Sequence, residues 1–110
     1  MSLKRFKRIS KEVFTSDLPT LNITRSKIAE LKIIANTNPR KRVRVNAHQN
    51  INDSFHEMLI VHKKGFYCQP HKHLNKSDSL HMIEGHIKVI PFNDDGTIME
   101  AFNMSCLRRT

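Results

Sequence analysis

Residues 65–85 read GFYCQPHKHLNKSDSLHMIEG: a glycine, five residues, His71-Lys72-His73, four residues, Asp78, six residues and Gly85. In a strand over 69–73, side chains two apart point to one side, so His71 and His73 face the same way. Two imidazoles on one face can grip a divalent metal. Asp78, returning along the next strand or turn, adds a carboxylate, and the resulting nitrogen and oxygen set suits Mn, Fe, Ni or Zn. Three ligands leave such a site one short of closure.

This order of residues resembles the first metal-binding motif of the cupin superfamily, in which the acid is usually Glu; Asp78 is one methylene shorter. Within that superfamily the segment 38–103 is similar to the WbuC-type cupin metalloproteins. The similarity rests on Pro39-Arg40-Lys41-Arg42, on Arg44, Asn46 and His48 at alternate positions, and on Glu57-Met58-Leu59-Ile60. The stretch from Ile9 to Phe14 resembles the N-terminal segment of the same proteins. The resemblance implies a mainly β fold, a cupin-type jelly roll with one N-terminal helix, and a divalent metal held by His71, His73 and Asp78. It also implies a place in bacterial O-antigen or other surface-polysaccharide synthesis. The second cupin motif is not found before Thr110, so the expected barrel is incomplete. Exposed strand edges then predict a homodimer formed by sheet exchange or edge pairing.

A chain of 110 residues fits a single structural domain. Within it the sequence predicts an N-terminal arm and helix over 1–37 and a cupin β-domain over 38–110. The formal charge of +9 calls for an anionic partner or a crowded basic surface. Most of that charge sits in 4–11, in 40–44 and at Arg108 and Arg109. Cys68 and Cys106 do not make a disulfide scaffold, and with no signal peptide or membrane-length apolar run the chain reads as cytoplasmic.

Along the chain, residues 4–16 alternate charge with Phe6, Ile9, Val13 and Phe14, compatible with a loosely held strand or arm. Thr24 has the profile of a helix N-cap, and a helix over 25–35 places Ile28, Leu31 and Ala35 on one stripe, to lie against the outside of a sheet. Residues 42–46 alternate with a period of two, as do strands with one apolar and one polar face. The polar residues Arg42, Arg44, Asn46 and His48 face either solvent or a cavity. The family resemblance favours the cavity, where they would bind an anionic or hydroxyl-rich substrate. Strands are also expected over 57–62, 80–84 and 86–92, with a hairpin turn at Asn93-Asp94-Asp95-Gly96 and a partner strand over 97–103.

His48 is the better reserve metal ligand, with His81 and His86 behind it. Cys68 reads as a small buried apolar residue. The leading functional expectation is a metal-binding cupin that acts on or binds an activated sugar, with isomerisation or epimerisation as the fitting reaction class. The alternatives are a non-catalytic sugar-binding or regulatory cupin and a basic nucleic-acid binder. Sparse aromatics among the basic clusters make a nucleic-acid partner the least favoured.

Overall fold

The computed structural model describes residues 6–18, 20–72 and 78–106, which contain one helix and six strands. The chain divides into two compact units, Met1–Tyr67 and Cys68–Thr110. The described residues are mainly β with one helix, and they form no closed barrel.

The first unit is a four-stranded sheet in the order β1-β2-β3-β4, covered on one face by a helix. The arm expected at the N-terminus is two strands, β1 (Phe6–Arg8) and β2 (Val13–Ser16), paired antiparallel. Their apolar residues explain the difference: Phe6 and Phe14 are buried, and the charged Arg8 between them lays its guanidinium over the Phe14 ring at 5.3 Å. The helix α1 (Arg25–Thr37) then carries the chain across, so β3 (Arg42–Asn46) lies parallel to β2, and β4 (Met58–His62) returns antiparallel beside it. A parallel neighbour requires such a crossover. An all-antiparallel jelly roll has no equivalent of it.

Helix α1 begins at the expected cap. The Thr24 hydroxyl accepts a hydrogen bond from the Lys27 amide at 3.3 Å, satisfying one of the free N–H groups of the first turn. At its far end Asn38 closes the helix and ties it to the sheet. The Asn38 amide donates to the Ile34 carbonyl, and its side-chain Nδ2 donates to the carbonyls of Lys11 at 2.7 Å and Arg42 at 3.0 Å. Lys41 follows with φ of 55°, a left-handed residue that turns the chain into β3.

The alternation of β3 sorts its side chains cleanly. Val43 and Val45 are fully buried against Leu31 and Ala35 of α1, with Phe14 and Phe6 beside them and Leu59, Val61 and Ile34 at the margin. Each such aliphatic side chain removed from water contributes about 1.5–3 kcal/mol, which makes this cluster the main source of stability in the unit.

The second unit is a hairpin. Strand β5 (His86–Val89) pairs antiparallel with β6 (Phe102–Ser105), and Phe92 bridges Ile98 across the turn. Gly96, at φ of 88°, supplies the left-handed residue of that turn. The Asp95 carboxylate accepts from the Thr97 hydroxyl at 2.6 Å and the Thr97 amide at 3.0 Å, and these bonds hold it below the usual carboxylate range. None of the described residues of 68–106 is buried. The expected strand over 80–84 is absent, because its apolar residues find no partner: Leu80 and Ile83 are exposed. The strand expected at 69–73 is likewise absent over 69–72, where Pro70 removes a ladder donor.

Candidate functional site

The face of the sheet opposite α1 carries the residues expected to bind a substrate. Register fixes which side chains meet there. Arg44 of β3 lies between Val13 of β2 and Ile60 of β4, and Asn46 lies between Thr15 and Met58. Arg42 stands opposite His62. Period-two alternation thus puts Arg42, Arg44 and Asn46 in one row, about 7 Å from each to the next.

Burial on this face is unequal. Asn46 is only 9% exposed, while Arg42 and Arg44 are half-buried. Flanked by Val13 and Ile60, Arg44 keeps its Nε out of water, yet that nitrogen has no hydrogen-bond partner among the described residues. The same is true of Asn46 Oδ1. A buried donor and a buried acceptor left unpaired on adjacent positions of one face are costly, at roughly 1–3 kcal/mol each. Side chains in that condition are suited to a ligand that offers the missing partners.

Arg42 is differently placed. Its Nε donates to Glu12 Oε1 at 2.8 Å, and Arg40 approaches the same oxygen at 3.6 Å. Its guanidinium also sits 5.8 Å from the centre of the Phe66 ring, and Phe66 stacks on His62 at 3.9 Å. Although much of the His62 side chain reaches solvent, Phe66 covers one face of its ring. That burial, and secondarily the charge of Arg42, lowers its pKa from the ordinary 6.5. Glu12, Val13, Arg42, Val43, Arg44 and Ile60 line a small depression of about 30 Å³.

His48 does not continue the row, because β3 ends at Asn46. Its ring stacks on His56 at 4.0 Å and its Nδ1 lies 3.3 Å from the Glu57 carbonyl, so it belongs to the loop between β3 and β4.

The three expected metal ligands fall in the second unit. His73 lies outside the described residues. His71 and Asp78 are both exposed, and His71 Nδ1 sits 3.0 Å from the Gln69 carbonyl. When Nδ1 carries the proton it donates to that carbonyl, which fixes the orientation of the imidazole. His and Asp are donor types that divalent metals take, but among the described residues no three His, Cys, Asp or Glu side chains are gathered to hold one. Of the reserve ligands, His81 Nε2 lies 3.0 Å from Ser79 Oγ and His86 stands opposite Ser105 on the hairpin. Cys68 is exposed, not buried as its small apolar character suggested, and its sulfur lies 3.5 Å from His71 Nδ1.

Glu12 and Phe66 escape a reading of the sequence. Glu12 sits in a basic segment and meets Arg42 only through the long-range parallel pairing of β2 with β3, for which no local pattern exists. Among the described residues no helix is long and apolar enough to cross a membrane.

No curated protein and no solved structure matches the chain. The model of a family described as a domain of unknown function, DUF6016, matches residues 23–104, from the approach to α1 into β6, and the chain belongs to that family.

Proposed function

We propose that the chain is a cupin-type, metal-binding protein that takes an anionic, hydroxyl-rich small molecule, an activated sugar of bacterial surface-polysaccharide synthesis. Arg42, Arg44 and Asn46 are its substrate-binding residues, without His48, which the loop takes off this face, and His71, His73 and Asp78 are its metal ligands. The observation that carries the ligand class is the unpaired burial of Arg44 Nε beside Asn46 Oδ1. An anion or other acceptor satisfies the first and a hydroxyl the second, and both groups are found on a charged sugar.

The metal assignment rests on the spaced motif of 65–85 and on the carbonyl that faces His71 Nδ1. A divalent ion held by those residues would supply Lewis-acid chemistry. The protein's own groups bind and orient: Arg44 neutralises the ligand's charge, Asn46 accepts from a hydroxyl, and Ile60, Met58 and Val13 give an apolar floor. The fold within this proposal is a cupin-type β-domain that departs from an all-antiparallel jelly roll at the parallel β2–β3 pair, and the homodimer would form through β1 or β4, the outer strands of the sheet among the described residues.

Thermal-shift screening of the full chain against charged sugars, with and without divalent metals, tests the proposal. Stabilisation by an anionic sugar that disappears in Arg44→Met supports it. Stabilisation unchanged in that variant contradicts the binding face. Equal metal content in the wild type and in His71→Ala/His73→Ala, both purified without chelator, contradicts the ligand set.

A further inference from the structure

We infer that Glu12 sets the charge selectivity of the Arg44–Asn46 face, so that the group read there is the single carboxylate of a uronic-type sugar and not a phosphate or diphosphate. The inference rests on the sugar-binding reading above and narrows its ligand.

Two arginines point into one small depression, and only one is uncommitted. Arg42 gives its Nε to Glu12 at 2.8 Å, and the two side chains are 27% and 19% exposed, so the pair is largely withdrawn from water. Pairs in such surroundings are screened less than surface pairs, and breaking one strands a charge. Glu12 is also fixed by its backbone, since its carbonyl accepts from the Arg44 amide at 2.7 Å in the parallel ladder. That bond sets the Glu12 Cα beside β3, from where its carboxylate reaches Arg42. Arg44, by contrast, carries no ion pair with any described carboxylate, and its buried Nε is unbonded.

Charge and size both follow. Of the two guanidinium groups lining the depression, Arg42 is paired with Glu12, whose carboxylate the more exposed Arg40 also approaches at 3.6 Å, and Arg44 is left for the ligand to balance. The depression is shallow and small, about 30 Å³, so it takes the end of one charged group and not a whole sugar. A diphosphate would need Arg42 as well, and Glu12 already occupies it. The second contact fits the same ligand. Asn46 Oδ1 lies one alternate position away, about 7 Å along the strand, across the floor made by Ile60 and Met58. A six-membered sugar ring with its carboxylate at Arg44 brings a ring hydroxyl toward that oxygen.

Isothermal titration of the full chain with glucuronate, glucose, glucose 1-phosphate and uridine diphosphate tests the assignment. The wild type should bind glucuronate roughly ten-fold or more tighter than the other three, because a monoanion balances the one guanidinium that Glu12 leaves unpaired, while glucose brings no charge and the phosphates bring about two or more. Glu12→Gln should tighten both phosphates about ten-fold by releasing Arg42. Glu12→Gln/Arg42→Gln should return them to the wild-type level, which separates release of Arg42 from any general loosening of the fold. Phosphates bound as tightly as glucuronate in the wild type, or an unchanged ratio in Glu12→Gln, would overturn the role of Glu12. If that binding is still lost in Arg44→Met, the sugar-binding reading survives; if none of the four ligands binds, both fall.

Discussion

Replacing Asn46 by Val should make the protein more stable and less able to bind. Asn46 is 9% exposed, the last residue of an inner strand of the four-stranded sheet, and its Oδ1 has lost water without gaining a partner among the described residues. An orphaned buried acceptor costs roughly 1–3 kcal/mol, and substituting an apolar group of similar volume removes that cost. Valine also suits a central strand better than asparagine, by up to about 1 kcal/mol. The neighbours across the strands, Thr15 and Met58, offer no partner that the substitution would strand. A net gain of about 1–2 kcal/mol is therefore expected. For a unit of this size each kcal/mol moves the midpoint by about 4–8 °C. Thermal and urea unfolding of wild type and Asn46→Val give the stability, and titration with glucuronate gives the affinity. A gain in Tm with loss of binding is the predicted pair. A variant that is destabilised by more than about 1 kcal/mol, or that binds as the wild type does, would refute the claim that this amide is kept for a ligand.

Leu31→Ala should cost about 2–5 kcal/mol, read by urea unfolding, because Leu31 is fully buried at the centre of the helix–sheet core and its removal leaves a cavity. The His62 pKa is lowered in the fold, so the unfolded chain takes up the proton first as pH falls. Its contribution to stability is complete above the unfolded value near 6.5 and is lost as pH drops through the lower folded value. Tm measured from pH 7.5 to pH 5 (about the range of histidine titration) should therefore fall on acidification, and His62→Gln should flatten that slope; an unchanged slope would remove His62 as its source.

Local signals carried much of the first unit. The Thr24 cap and the Leu31–Ala35 stripe place α1, whose observed end at Thr37 lies two residues past the expected one because Asn38 caps it. Alternation over 42–46 places β3 and puts Arg42, Arg44 and Asn46 on one face, which is the face the structure shows. What local pattern does not encode is partnership. Strands β1 and β2 are hidden by flanking charges until Phe6 and Phe14 meet the core contributed by residues far along the chain. The same long-range pairing brings Glu12 to Arg42, so the neutralised arginine looked equivalent to its free neighbour. His48 shares the parity of Asn46 but not its strand, since parity holds only while the ladder does. In the second unit, apolar residues at 80–84 mimic a strand, yet apolar character makes a strand only where another surface covers it.

The most direct measurement follows the Nε–H resonance of Arg44 by nitrogen-edited NMR while an anionic sugar is titrated into the full chain. The structure predicts a saturable downfield shift and slowed solvent exchange of that proton, with the Asn46 amide group responding at the same ligand concentration. An Arg44 Nε–H signal that stays still while resonances elsewhere titrate would place the ligand off this face and contradict the account.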